Sequence, residues 1–374
     1  MCYKNIGFLL LGLLWACHCA PPGLEGPFKE PHTLWPQLGR TPQRTFATPD
    51  SLLLPLRLAW QKRVSNATES ALVYVRPFLM FSSNDGSISK LFARDGKLAG
   101  YRDLKADPAH ILWWQHHLII VHKNEHPSVL CYDVFRDNTV WRQNLNLILA
   151  EPLYARNSLF ITEYTGRLVC FDLATGVPRW KYSVPEPIRA AASWANDCVI
   201  MGTEKGTVYA IRDGKKLWSQ KLTAAILAPA CIKSNTILQP LVDGTLYALD
   251  RKTGHTLWRY SAESKFYQPA ATSQETIVIG SADGRIHGID YKGKKKWIYH
   301  TNSVISSAPC VATDKVVIGS LEGSVTILDI HTGNLLQTIK VPGSVRQHPI
   351  VIDNMLFVPS DDDFLSCFVQ DLKF

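Results

Sequence analysis

The sequence contains no two adjacent cysteines, no Cys-x-x-Cys-His, no Gly-x-Ser-x-Gly, no His-Glu-x-x-His and no phosphate-cradling P-loop. Each absence removes a chemistry. In turn these are a vicinal disulfide, covalent haem attachment, a nucleophile elbow, a zinc peptidase helix and a nucleoside triphosphate site. No stretch approaches the roughly 18 consecutive apolar residues that a membrane-spanning helix needs. Charge of one sign is also scarce: 40 Lys and Arg against 32 Asp and Glu leave +8 over 374 residues, too little for a dedicated nucleic-acid surface. Glycine (23) and proline (22) are near average usage, which excludes a collagen-like or proline-rich chain.

What is present is a large apolar inventory, 46% hydrophobic with eleven Trp, enough to bury a sizeable core. At about 150 residues per domain the length would suggest two or three domains, unless a β-rich repeat runs through it as one unit. The N-terminus reads as an export signal: Lys4 precedes an apolar run over residues 6–16, too short to be a final membrane anchor. Leu14-Trp15-Ala16-Cys17 resembles the lipobox of bacterial lipoproteins, so Cys17 is the expected lipidation site, several acyl chains giving stable anchoring. Residues 21–31 are rich in Pro and Gly and suit a tether. The expected organisation is a signal peptide over 1–16, a lipidated tether over 17–34 and one folded domain over 35–374.

That domain is a repeat. Asp243-Gly244-Thr245-Leu246-Tyr247-Ala248-Leu249-Asp250 followed by Thr253-Gly254 and Trp258 recurs along the chain, with leading positions Gly86, Pro127, Gly166, Gly206, Gly244, Gly284, Gly323 and Asp363 spaced 38 to 41 residues apart. Each period holds four short β-branched or apolar runs separated by turn residues. The seventh shows them at 306–312, 315–319, 324–329 and 335–341. Four antiparallel strands per period, eight times over, specify an all-β, eight-bladed β-propeller. The last repeat ends after three strands, and residues 56–64 supply an outer strand with Trp60 but no repeat before it, so these two pieces should join in one blade and close the ring.

The segments 171–180 and 249–258, each ending Thr-Gly-x-x-x-Trp, resemble the tryptophan-docking repeats of quinoprotein-like (PQQ-like) propellers, and 34–39 (LWPQLG) is similar to the opening motif of that family. With the lipobox and tether, the chain resembles the BamB family, propeller lipoproteins of bacterial outer-membrane β-barrel assembly. The resemblance implies a non-catalytic scaffold on the periplasmic side of the outer membrane, whose partners are a barrel-assembly protein and unfolded barrel clients. It further implies partner contacts through loops joining neighbouring blades, where the nearest analogue here is Ile188 and Arg189. Two other readings accompany it: a PQQ-dependent dehydrogenase-like enzyme and a periplasmic binding propeller of other role. The dehydrogenases of that family hold their quinone beside a vicinal disulfide, which this sequence cannot form, so no cofactor and no catalytic residue are expected. The repeat's departures are Gly100 in place of Trp and Pro127 in place of Gly.

Other clusters have plain readings. His110, His116, His117, His122 and His126 fall within seventeen residues, but on an alternating strand His116 and His117 would face opposite sides, so no metal site is expected. Asp361-Asp362-Asp363 and Lys294-Lys295-Lys296 fall where solvated turns belong. Cys131, Cys170 and Cys367 share one repeat offset and Cys231 and Cys310 another, which marks them as small buried residues, with Cys170 and Cys198 as one pairing left open. Asn66-Ala67-Thr68 is a glycosylation sequon with meaning only in a eukaryotic host.

Overall fold

Short runs such as Cys-Ile-Lys and Thr-Ile-Leu-Gln-Pro are too brief for helices and are punctuated by Asp, Asn and Gly, so each becomes a strand ended by a tight turn. A computed structural model describes residues 23–24, 33–64, 70–83, 85–104, 108–123 and 125–372, and contains only strands, turns and loops among them. Cys17 and the Asn66 sequon lie outside the described residues.

Blade 5 is representative. Cys231–Lys233, Thr236–Pro240, Thr245–Asp250 and Thr256–Ser261 pair antiparallel in chain order. Eight such sheets are present, and the first strands of successive blades lie beside one another around a central axis. The seventh blade has Cys310–Ala312, Lys315–Gly319, Ser324–Asp329 and Leu335–Lys340, matching the four expected runs apart from a shorter first strand and a fourth that ends one residue earlier. The eighth is composite: Leu56–Arg63 pairs antiparallel with Phe364–Gln370, so the ring closes as the repeat arithmetic requires.

Neighbouring blades are locked by their outer-strand tryptophans. The indole N–H of Trp218 donates to the carbonyl of Arg251 at 3.1 Å, and Trp258 and Trp297 repeat the bond to Tyr291 and Ile330. Each ring lies on the glycine of the next blade's outer hairpin. At Gly254, with φ +75°, a Cβ would stand 2.5 Å from the Trp218 ring, so both the backbone angle and the space demand glycine. Trp60, on the borrowed strand of blade 8, does the same to blade 1 through Ala93.

Blade 1 has Gly100 where that Trp would be, and two residues from the expected tether occupy the slot. Leu24 is fully buried among Val73, Phe78, Ile111 and Trp113. A Cβ at Gly100 would stand 2.3 Å from the carbonyl oxygen of Gly23. The buried Lys90 ammonium donates to the Leu24 carbonyl at 2.6 Å and lies over the Phe78 ring. The tether expectation is therefore corrected: part of 17–34 packs into the fold, and the first strand, Thr33–Trp35, begins inside it.

Residues 33–50 form a band that visits all eight blades in order. Thr33–Trp35 pairs with Val73–Val75 of blade 1, and Trp113 of blade 2 donates its backbone N–H to Pro36. The Gln37 side chain bonds both N–H and C=O of Tyr154 in blade 3. Backbone N–H groups of Trp194, Ile232 and Thr272 then bond Pro42, Gln43 and Thr45, in blades 4, 5 and 6. Ala47–Thr48 runs parallel to Cys310–Ala312 of blade 7, and Asp50 accepts from Asp353 N–H in blade 8. Arg44, fully buried, satisfies its guanidinium on the carbonyls of Leu38, Pro152 and Ala192. The axis is thus filled by the chain's own N-terminal segment.

Candidate partner-binding face

Six of the loops that carry the chain from an outer strand to the next inner strand share one plan. Ile148, Ile188, Ile226, Phe266, Ile305 and Val345 occupy the same place in successive loops, and each is buried between blades. The expectation that Ile188 offers its side chain to a partner is corrected by this burial: it packs with Ala192, Val199 and Trp180, and its N–H bonds the Tyr164 carbonyl. The residue after this plug points outward in several loops. Arg189 is half-exposed, its guanidinium bonded to Glu204 at 2.7 Å and 5.8 Å from the Tyr164 ring. Tyr267 and Arg346 stand at the equivalent places, 44% and 62% exposed, with Arg346 bonded to Asp361 at 2.6 Å. Arg189 is therefore one member of a set that recurs around the ring, and the repeat offset is the signal that could have found the others.

These loops surround one mouth of the axis. A cavity of about 250 Å³ is lined by Leu227, Tyr267, Gln268, Arg346 and His348, with Leu38 and Phe46 of the band forming its floor. Glu151 also lines it, and burial pushes its carboxyl up to about 7 against the pull of Arg44. Burial, reinforced by Arg44, holds His348 down to about 3, and burial lowers His110 to about 4. Near neutral pH both imidazoles are uncharged. Phe46 meets His348 edge-on with ring centroids 5.4 Å apart. The opposite mouth, about 530 Å³, is lined by Arg40 of the band and by turn residues including Glu275, Thr313 and His331. The band separates the two.

His116 and His117 do not lie on one continuous strand: Trp114 ends one strand, His117 begins the next, and His116 is in the turn between them. The expectation that they face opposite sides is corrected, since their rings are 4.1 Å apart and both converge on Asp133. His110 and His122 are buried elsewhere in blade 2, and His126 is exposed. Asp361 to Asp363 form the turn before the third strand of blade 8, and Lys294 to Lys296 are exposed. Cys131, Cys170, Cys198, Cys231, Cys310 and Cys367 are buried free thiols, so Cys170 and Cys198 are not joined. Burial raises all six, to about 12 for Cys131, Cys231, Cys310 and Cys367 and to about 11 for Cys170 and Cys198, so they are not thiolate nucleophiles.

The residues do not fit a quinone site of the dehydrogenase kind. That site needs a vicinal disulfide, the sequence has no adjacent cysteines, and Leu38, Arg44 and Phe46 stand on the axis.

The family model described as outer membrane protein assembly factor BamB matches residues 125–211 and 185–370. Curated relatives include that protein from Shewanella oneidensis, 23% identical over 235 residues, which are 56% of this chain and 58% of the relative. The Nitrosomonas eutropha protein is 26% identical over 112 residues, 30% of this chain and 27% of the relative. The matched stretches thus cover less than two thirds of these relatives' length. Among solved structures, BamB from Moraxella catarrhalis has a TM-score of 0.72 at 17% identity, over 84% of this chain and 100% of that one. The computationally designed Ika8 protein scores 0.75 at 19% identity, over 82% and 98%. Quinohemoprotein alcohol dehydrogenase from Comamonas testosteroni scores 0.76 at 12% identity, over 93% and 82%. At such identities these likenesses establish the fold alone.

Proposed function

The chain belongs to the outer membrane protein assembly factor BamB family, and on that premise we propose that it is a non-catalytic scaffold of the bacterial cell envelope that assists assembly of outer-membrane β-barrel proteins. It works through protein contacts on the periplasmic side of the outer membrane, held there by lipid on Cys17. Its partners are a barrel-assembly protein of that membrane and unfolded barrel clients. The observation that carries the reading is the loop rim. Arg189, Tyr267 and Arg346 present guanidinium and phenolic groups around one mouth beside Leu227, and Arg and Tyr are the residue types enriched where proteins dock. The rim stands on a rigid ring whose axis is filled by its own chain, which suits holding a partner better than enclosing a substrate.

The test is affinity capture of the full chain from detergent-solubilised membranes, with mass spectrometry of bound proteins and of the N-terminal peptide. The expected result is a barrel-inserting outer-membrane protein together with an acylated Cys17. A triple variant, Arg189→Ala with Tyr267→Ala and Arg346→Ala, should lose most of the captured partner while retaining the wild-type Tm. Undiminished capture by that variant would move the contact off this face. Capture of no envelope protein by the wild-type chain would remove the scaffold reading.

A further inference from the structure

Blade 2 differs from the other blades at the turns of the opposite face. In blades 3, 5 and 7 an aspartate ends the third strand and caps the outer hairpin. Asp250, for example, accepts the N–H groups of Lys252 and Thr253 through Oδ1. Asp133 does this in blade 2, accepting from Phe135 and Arg136 at 2.9 and 3.0 Å. What faces the second oxygen is different. In blade 5, Asn235 donates directly to Asp250 Oδ2 at 2.6 Å. In blade 2 the corresponding places hold His116 and His117, whose Nε2 atoms stand 3.6 and 4.0 Å from Asp133 Oδ2. These separations are too long for hydrogen bonds. They approach the roughly 3.4 Å between neighbouring ligands of a tetrahedral ion with bonds of about 2.0–2.2 Å.

We propose that blade 2 binds a divalent transition-metal ion of the zinc type through His116 Nε2, His117 Nε2 and Asp133 Oδ2. One ligand atom from each of the three residues lies within 4.8 Å of the other two. Two imidazoles and one carboxylate suit zinc, cobalt, nickel or copper rather than calcium or magnesium. The ligands are held in place: the backbone N–H groups on Oδ1 fix the carboxylate, and Trp114 stacks on His117 with centroids 4.9 Å apart. His116, 39% exposed at its side chain, opens the fourth position to water. Arg136 Nε stands 3.9 Å from the same oxygen, but its side chain is 80% exposed and can turn into solvent when the ion enters.

The site also has a structural reason to be there. The outer hairpin of blade 2 receives no indole, because blade 1 carries Gly100 at the docking position, and it has Asp137 at φ +52° where others have glycine. An ion at Asp133 would tie that hairpin, which lacks the indole and the glycine of the others, to the turn holding His116.

The experiment uses the full chain carrying no histidine tag, stripped with a chelator and titrated with Co²⁺ alone while visible absorption is recorded. One equivalent should give the intense bands of four-coordinate cobalt, and Zn²⁺ should displace it and raise the Tm by a few degrees. His116→Asn installs the residue found at this place in blades 3, 5 and 8 (Asn157, Asn235 and Asn354), so the apo variant should keep its Tm. Its affinity should fall at least about tenfold. His117→Ser, matching Ser158 of blade 3, should do the same. Equal cobalt binding by both variants, or no saturable one-equivalent binding by the wild-type chain, would overturn the proposal.

Discussion

From blade 2 to blade 7 most outer strands place an indole on the next blade's glycine, and that lock needs only residues about 33 positions apart. The junction of blades 1 and 2 has no outer-strand indole, and there Leu24 and Gly23 enter from far upstream to fill the slot beside Gly100. On the surface of that junction Arg102 pairs with Asp137 and lies over the Tyr132 ring at 4.3 Å. At the other irregular place, blade 7 has Gln337 instead of Trp. Its amide bonds both N–H and C=O of Leu56, pinning the borrowed strand that closes the ring. The difference teaches that a repeat can be locked by its own period, whereas a seam must be locked by chain from elsewhere. The regular blades should therefore tolerate loss of the Leu24 side chain better than the seam does.

Acid should have the largest effect, and it acts on the ring as a whole. His110 and His348 lie beside the band, and burial holds both well below the usual imidazole range. The unfolded chain therefore binds more protons than the folded one between about pH 6.5 and 4, and stability falls as pH falls through that window. Buried His287 of blade 6, lowered to about 4, adds to the same slope. Glu151 opposes it. Its carboxyl is raised to about 7, so its contribution is lost as pH rises from about 4.5 to 7, but one carboxyl acts against three imidazoles. Each histidine should contribute roughly one kcal/mol per pH unit, measured by denaturant unfolding from pH 7.5 to 4.5. A His110→Gln, His348→Gln chain should show a shallower slope, and an unchanged slope would exclude the band histidines as its cause.

Trp141 tests the regular lock. It is buried, donates to the Leu173 carbonyl at 2.9 Å and covers Gly176, so Trp141→Ala should cost about 3–5 kcal/mol. Leu24→Ala tests the substitute lock and should cost about 2–4 kcal/mol, with hydrogen exchange quickening in blades 1 and 2 and not in blades 4 to 6. Exchange that quickens uniformly would erase the distinction. The smallest effect belongs to Arg102→Ala, whose charged partner Asp137 is half-exposed, at about 1 kcal/mol or less in the same unfolding experiment.

The ring was legible because its signals are local and repeat. The Asp-x-x-Thr-Gly hairpins and the Trp that follows recur at one spacing, and even the composite eighth blade follows from three strands at one end and one at the other. The band was not legible. Residues 33–50 have no strand or helix periodicity, and their partners lie in every blade, so nothing within 20 residues of Arg44 announces that its guanidinium will be buried on three carbonyls. Ile188 and Arg189 illustrate both cases. The loop was found, but the aliphatic residue that looked adhesive is the repeat's buried plug, visible only when six loops are superposed. His116 was misplaced because the turn after Trp114 breaks the alternation assumed for it.

Docking of a partner on one face of the ring is tested most directly by crosslinking from single positions. A photoreactive residue in place of Tyr267, on the loop rim, should join the full chain to a barrel-assembly protein of the outer membrane in intact cells. The same residue in place of His331, on the opposite mouth, should not. Equal crosslinking from both positions, or crosslinking from His331 alone, would contradict the account.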